Sequence, residues 1–222
     1  MKHLAAACRH LTRATVAFLA GATFVVPTVA AQKPSKPPKP LPAPGLSLAA
    51  IAGQHIPVLP TTYVLVAQPT MHPAGYPVDR ARRLLWADSI IIDQLTNLGP
   101  AVSWLSPDDM RKAFRRAGGM LVDPDRMGQD MMAGDKMKTV FDPLLGYLRR
   151  YVAMMNAERF AMIPAVITFS TLPGDTVRAD VTYVLADTRT GAVIWRSHPV
   201  GLALNAADAL ASTIAHILPD QH

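Results

Sequence analysis

A stretch of alternating residues near the end of the chain, Val177 to Ser197, most constrains the fold. From Val177 to Leu185 every second side chain is apolar, and those between include arginine, aspartate and threonine. This period of two is typical of a β-strand with one buried face. The turn sequence Asp187-Thr188-Arg189-Thr190-Gly191 follows, and an apolar, β-prone run then resumes. The pattern predicts a β-hairpin, which specifies a fold and supplies no catalytic residue.

The rest of the chain predicts further strands and helices around this hairpin. Apolar, β-prone runs predict strands at Gln54–Ala67, Ala101–Leu105 and Arg159–Thr171, with a bulge or edge position at Pro164. Apolar side chains at the helical period predict helices starting near Asp79, Ser106, Asp142 and Asn205. Early strand–helix alternation favours parallel strands, and the late hairpin adds antiparallel ones. We therefore expect an α/β (α+β-like) fold, a mixed sheet of about five strands with helices packed on it. A C-terminal β-meander or hairpin followed by a helix should close this fold.

The first 44 residues predict export and a spacer. Residues 1–31 combine a cationic start, an apolar run and a small-residue end, which is typical of a secretory signal cleaved after Ala31 or Ala30. The apolar run is shorter than the roughly 20 residues of a membrane-spanning helix, so an uncleaved N-terminal anchor is the minor alternative. Residues 32–44 are proline-rich and favour an extended polyproline II linker. Residues 45–222 are expected to form a single globular domain, which the signal would direct to a secreted or periplasmic location.

Charge argues against a nucleic-acid-binding protein. The chain carries 22 basic and 16 acidic residues, but three basic residues lie in the signal and three in the linker. Basic and acidic residues are therefore equal in number from Gly45 onward, whereas nucleic-acid binding requires a basic face on the folded domain. The linker lysines, Lys33, Lys36 and Lys39, suggest a second interpretation of that segment. They could hold it against an anionic surface such as cell wall or phospholipid headgroups.

Known catalytic motifs are absent from the sequence. The chain contains no G-x-S-x-G, P-loop, dinucleotide fingerprint or H-E-x-x-H sequence. Its only cysteine, Cys8, lies in the signal, which leaves the mature chain without a disulfide, a thiolate ligand or a cysteine nucleophile. The calcium-like sequence starting at Asp123 has Met127 and Gly134 where oxygen ligands are needed. We therefore predict a non-enzymatic protein without a cofactor, and an enzyme with an unrecognised site is one alternative.

A methionine cluster marks the irregular segment from Met120 to Phe141. Methionine is common on adaptable binding surfaces as well as in cores. The candidate partner-binding residues, for an envelope protein partner or self-association, are Met127, Met131, Met132, Met137 and Trp195. Thioether sulfur also suits Cu(I), so a copper-handling protein that uses Met127, Met131 and Met132 is a second alternative. His72 with Met71 could add a ligand to such a site, and ordinary packing is the remaining interpretation.

The hairpin also carries a family resemblance. Asp187 in the turn, Thr190-Gly191 after it and Trp195 on the next strand form a pattern that resembles a group of bacterial envelope domains. The group includes the curli secretion-channel lipoprotein, the lipoprotein activators of penicillin-binding proteins, and the amino-terminal domain of the Tol-system translocation protein. The resemblance implies a non-enzymatic α/β domain used for assembly or partner binding at the envelope. This chain departs from the pattern in lacking a lipid-bearing cysteine and in its 120–142 region.

Overall fold

The structure is a computed structural model that describes residues 45–67 and 73–218. The predicted signal and linker, with Lys33, Lys36 and Lys39, lie outside the described residues, as do Met71 and His72. The division of the chain into signal, linker and domain therefore stays a prediction. None of the helices in the described ranges is long and apolar enough to cross a membrane.

Strands and helices alternate early in the described chain, and strands cluster late. The elements in chain order are β1 His55–Pro57, β2 Val64–Val66, α1 Arg80–Leu98, β3 Ser103–Leu105, α2 Pro107–Arg116, α3 Leu144–Met154, β4 Phe160–Thr171, β5 Val177–Asp187, β6 Val193–Ser197, β7 Val200–Ala203 and α4 Ala206–Ile217. Single turns of 3₁₀ helix occur at Leu48–Ala50, Pro124–Arg126 and Gln129–Ala133. Side chains of Asp79, Ser106 and Asn205 cap α1, α2 and α4 by accepting backbone N–H groups, as the sequence predicts.

A five-stranded mixed sheet organises the fold. Strand β2 pairs in parallel with β4, β4 pairs antiparallel with β5, and β5 pairs with both β6 and β7. The predicted hairpin is β5–β6, and β7 continues the meander before α4. The predicted fold class, a mixed sheet of about five strands with helices packed on it, is confirmed.

Two details differ from the sequence prediction. The single strand expected at Gln54–Ala67 is divided, because β1 pairs with β3 in a separate two-stranded parallel sheet while β2 joins the main sheet. Pro57 ends β1 and Pro60 lies between the two pieces, and each lacks the N–H that a continuous ladder would need. Strand β7 is an additional strand, too short to show an alternating pattern. The bulge predicted at Pro164 is present, since the β4–β5 register shifts between Pro164 and Val166.

Apolar side chains fill both sides of the sheet. On the first side, α1 and α4 pack on residues that include Ile167, Phe169, Val181 and Tyr183. On the second side, α2, α3 and the 120–141 segment pack on β4 and β5 near Ile163 and Val184. The chain enters the domain on the first side, where the amide of Leu46 donates to the carbonyl of Ile217, 2.8 Å away.

Candidate functional site

The second side of the sheet is covered over only part of its length. Between Ala161 and Ala165 on β4, and at Val184 and Ala186 on β5, side chains are buried under the helices. Past the bulge, side chains on the same side are of intermediate or high exposure, except that of Thr182, which is buried. We call this uncovered area the open half-face. It comprises Leu65, Ala67, Val166, Thr168, Ser170, Arg178, Asp180, Val200 and Leu202.

The register of the strands arranges most of these side chains in two rows that cross four strands. Directly opposite residues on neighbouring strands point to the same side of a sheet. The first row contains Leu65, Thr168, Asp180 and Val200. The second row lies two residues along each strand and contains Ala67, Ser170, Arg178 and Leu202. Each row therefore places apolar side chains at its ends and polar side chains at its centre.

The polar centre is an ion pair that connects the rows. The Arg178 guanidinium donates to both Asp180 carboxylate oxygens, with Nη2–Oδ1 at 2.6 Å and Nε–Oδ2 at 2.8 Å. The Arg178 and Asp180 side chains stay 42% and 40% exposed. At the apolar ends, Leu65 is 40% and Leu202 is 56% exposed. The open half-face is thus an accessible surface of neutral net charge with large apolar side chains at its margins.

The end of the 120–141 segment borders the open half-face and is held by β6 and the residue after it. The Arg196 guanidinium donates to the carbonyls of Met132 and Met137, and the Val193 amide donates to the carbonyl of Lys138. His198 lies 2.9 Å from the Thr182 hydroxyl through Nδ1 and 2.7 Å from Asp135 through Nε2. The Thr182 side chain in this chain of contacts is buried, so a substrate does not reach its hydroxyl. We interpret the His198 contacts as a tether.

The methionines singled out by the sequence occupy different environments. Met127 is 3% exposed and Met132 is fully buried, and both belong to the core on the second side of the sheet. Met137 packs partly buried against the same core, whereas Met131 is 41% exposed. Trp195 packs partly buried against the core of the opposite side. A partner-binding role for these five residues stays a prediction. Met127 and Met132 are buried, so they contribute packing contacts in the core.

A copper site at Met127, Met131 and Met132 also stays a prediction. Among the residues that the structure describes, no group of three or more histidine, cysteine, aspartate or glutamate side chains is placed to hold a metal ion. The calcium-like sequence is a turn, because Asp123 accepts the amide of Asp125 and the Asp125 carboxylate pairs with Arg111.

A buried ion-pair cluster connects α1, α2 and the 120–141 segment. Arg111, on α2, donates to Asp88 at 2.6 Å, to Asp125 at 2.7 and 3.0 Å, and to Asp108 at 3.1 Å. The other Asp88 oxygen accepts the amide and the hydroxyl of Thr61 at 2.7 and 2.9 Å. Two clefts of about 330 and 520 Å³ flank the cluster and share Leu85 and Arg111 in their walls. The cluster therefore fastens three parts of the chain together.

The environment of Asp88 raises its pKa. Burial raises the pKa of the Asp88 carboxyl to about 6. The hydrogen bonds from Thr61 and the charge of Arg111 favour the ionised form and lower the pKa, but burial has the larger effect. A carboxyl whose pKa is higher in the folded chain than in the unfolded chain binds its proton at a higher pH in the folded chain. The stability that it contributes is therefore present at low pH and is lost as pH rises through about 6.

Replacing Asp88 by asparagine is expected to remove this pH dependence. Relative to the Asp88→Asn variant, the wild-type protein should gain about 1.3 kcal/mol of unfolding free energy between pH 7 and pH 5. Urea unfolding at several pH values measures this difference. Parallel pH profiles for the two proteins would show that Asp88 titrates as it does in water.

The hairpin turn that carries the family resemblance is a hydrogen-bonded structural unit. One Asp187 oxygen accepts the amides of Arg189 and Thr190, and the other accepts the Arg159 guanidinium at 2.6 and 2.9 Å. The hydrogen bonds from Arg159 hold the pKa of Asp187 well below its usual range, and the carboxylate is buried. At Gly191, where φ is +79°, a Cβ atom would lie 2.9 Å from the carbonyl oxygen of Val140. The motif therefore shapes the turn and leaves its carboxylate unavailable for chemistry.

Sequence reasoning missed the open half-face and the Arg111 cluster. The alternation of Arg178, Asp180 and Thr182 with apolar residues signals a polar side of β5, but identifying the residues beside them requires the strand register. Arg111 is 23 residues from Asp88 and 14 residues from Asp125, and no local pattern connects these three.

Comparisons with known proteins give similarity in structure only. No protein-family model and no curated protein matches the chain. The PelC dodecamer from Paraburkholderia phytofirmans matches with 15% identity and a TM-score of 0.39, over 82% of this chain and 96% of that chain. The LpoB C-terminal domain from Salmonella enterica matches with 14% identity and a TM-score of 0.37, over 68% and 83%. The NMR structure of E. coli LpoB matches with 12% identity and a TM-score of 0.35, over 85% and 83%.

The resemblance inferred from the hairpin is confirmed as a weak structural one, to PelC and LpoB. At such identities and TM-scores the likeness carries no argument about activity or partner.

Proposed function

We propose that this protein is a non-enzymatic binding or assembly module of the bacterial envelope, secreted or periplasmic and held on a proline-rich stalk. The observation that carries the proposal is the open half-face, where Leu65 and Leu202 remain 40% and 56% exposed on an ordered sheet. Exposed apolar surface that gathers on one face of a domain favours a protein interaction site.

The entry point of the chain supports this assignment. Leu46 and Leu48 belong to the core on the first side of the sheet, and the predicted linker ends just before them. The open half-face lies on the second side. The described chain therefore begins on the opposite side of the sheet from the half-face.

The charge arrangement in the clefts favours binding or structure over catalysis. Arg111 and Asp88 make their contacts with each other and with Asp125, Asp108 and Thr61 at hydrogen-bond distances. A general acid or base must instead be within reach of a substrate proton. The Arg111–Asp88 cluster therefore resembles a structural network more than a catalytic one.

Site-specific photocrosslinking in the producing cell tests the proposal. A photoreactive amino acid at Leu202 or Leu65 should form a discrete crosslinked product, because these side chains would lie in the interface. The same amino acid at Asn97, an exposed position on α1, is the matched control and should give none. Equal crosslinking at all three positions, or crosslinking at Asn97 alone, would show that the half-face is not the binding surface.

A further inference from the structure

We propose that the open half-face binds the open half-face of a second copy of this chain, in a two-fold symmetric dimer with the two sheets face to face. The inference rests on the proposed function and names the partner for it. It follows from the way the two rows of side chains complement each other.

The central charges are self-complementary. Arg178 and Asp180 lie two residues apart on one strand and point to the same side of the sheet. The two-fold axis lies midway between the facing sheets, perpendicular to the strands and between the two rows. It places the first row of one copy opposite the second row of the other copy. Each Arg178 then faces Asp180 of the other copy, and each Asp180 faces Arg178. Such an interface uses the same patch on both subunits.

The same axis matches the remaining positions of the rows. On β7, Leu202 faces Val200 of the other copy, so apolar side chains meet. On β4, Ser170 faces Thr168, so hydroxyl groups meet. On β2, Leu65 faces Ala67. The axis that pairs the charges on β5 therefore also pairs apolar side chains on β2 and β7 and hydroxyl groups on β4.

Net charge also favours a second copy over a charged partner. The open half-face contains one cation and one anion, already in contact, and its other members are apolar or carry hydroxyl groups. A strongly acidic or basic partner would find no net attraction here, whereas an identical surface offers both charges in the required positions.

The size of the patch sets the expected strength. Four strands about 4.8 Å apart and roughly five residues of each strand at about 3.3 Å give a footprint of roughly 300 Å². Stable interfaces usually bury about 800 Å² on each partner. We therefore expect a reversible dimer that forms at micromolar or higher concentration.

Charge-reversed variants mixed with each other test the dimer. Sedimentation velocity of the purified wild-type protein from about 5 to about 500 µM should show monomers shifting to dimers with concentration. Arg178→Asp places two anions on each half-face, and Asp180→Arg places two cations there, so each variant alone should stay monomeric. The two variants mixed in equal amounts should associate, because each now carries the charge that the other lacks. The double variant Arg178→Asp/Asp180→Arg should dimerise again.

Two further variants separate loss of association from loss of fold. Lys112→Asp reverses one charge of an exposed ion pair with Asp109 on α2, outside the open half-face, and should dimerise like wild type. Leu202→Ser keeps the charges and should weaken association about tenfold. Recovery in the mixture also shows that both charge variants are folded, because unfolded chains would not reassociate.

A wild-type protein that stays monomeric throughout, or a mixture that associates no better than the separate variants, would overturn the inference. The crosslinking experiment distinguishes this failure from failure of the proposed function. A crosslinked product at Leu202 with twice the mass of the chain supports the dimer. A product of any other mass overturns the dimer and leaves the half-face as a binding surface for another macromolecule.

Discussion

Replacing Gly201 by alanine is expected to lower the free energy of unfolding by about 3 kcal/mol or more. Gly201 lies on β7 where the strand approaches the backbone of α4. A Cβ atom there would overlap the carbonyl oxygen of Ala209 and the hydroxyl of Ser212, and it would lie 2.9 Å from the carbonyl carbon of Ala209. Backbone atoms cannot swing aside as a flexible side chain can, so α4 and β7 would have to separate.

Gly134→Ala is the matched control for this substitution. A Cβ atom at Gly134 would lie 3.7 Å from Cγ of Met137, an ordinary contact, and φ at Gly134 is −76°. Its unfolding free energy should stay within about 0.5 kcal/mol of wild type. Urea unfolding followed by circular dichroism measures both variants, and equal stability of the two would show that β7 does not pack on α4 as described.

Gly201→Ala should also weaken association of the protein. Val200 and Leu202 contribute one strand of the open half-face, and Gly201 lies between them. Displacement of β7 would remove both apolar side chains from the rows. A variant that is destabilised but still dimerises like wild type would place β7 outside the interface.

The second large effect is expected from Arg111→Met, which should cost about 3 to 4 kcal/mol of unfolding free energy at pH 7. The substitution leaves the buried Asp88 carboxylate with the Thr61 hydrogen bonds but without a cation. A buried charge that loses its partner is much more destabilising than the loss of an exposed pair.

The loss should be smaller at low pH. Without Arg111, the pKa of Asp88 should rise further above its already raised value, so that the carboxyl is neutral at pH 5 and no longer needs a cation. The matched control is Lys112→Met on the next residue of α2, whose exposed pair with Asp109 should contribute less than about 1 kcal/mol. If Arg111→Met and Lys112→Met lose the same stability at pH 7, the cluster does not fasten α1 and α2 together.

Local patterns predicted much of the fold because the forces that act there are local. The alternation in β5 identified the buried side of the strand, with Val177, Ala179, Val181 and Tyr183 all in one core. The caps at Asp79, Ser106 and Asn205 follow from side chains that accept N–H groups within three residues of themselves. Pro164 in β4 predicted a bulge or an edge position, and the bulge is present.

The candidate site depends on partners that lie far apart in the sequence. The open half-face requires β2 and β7 beside β4 and β5, and Leu65 lies more than 100 residues before Thr168. The methionine cluster could not be assigned from the sequence for a different reason. Its composition suits either a binding surface or a core, and the buried positions of Met127 and Met132 follow from the way the 120–141 segment folds over β4.

Cysteine protection in intact cells tests the central claim most directly, because it reports whether the open half-face is covered by any partner. In a Cys8→Ala background, Leu202→Cys and Asn97→Cys each provide one exposed thiol for a maleimide reagent. We expect Leu202→Cys to react at least about tenfold more slowly in cells than in dilute purified protein, since an interface excludes the reagent. Asn97→Cys should react at similar rates in both. Equal reaction rates of Leu202→Cys in cells and in dilute solution would contradict a binding function for this surface.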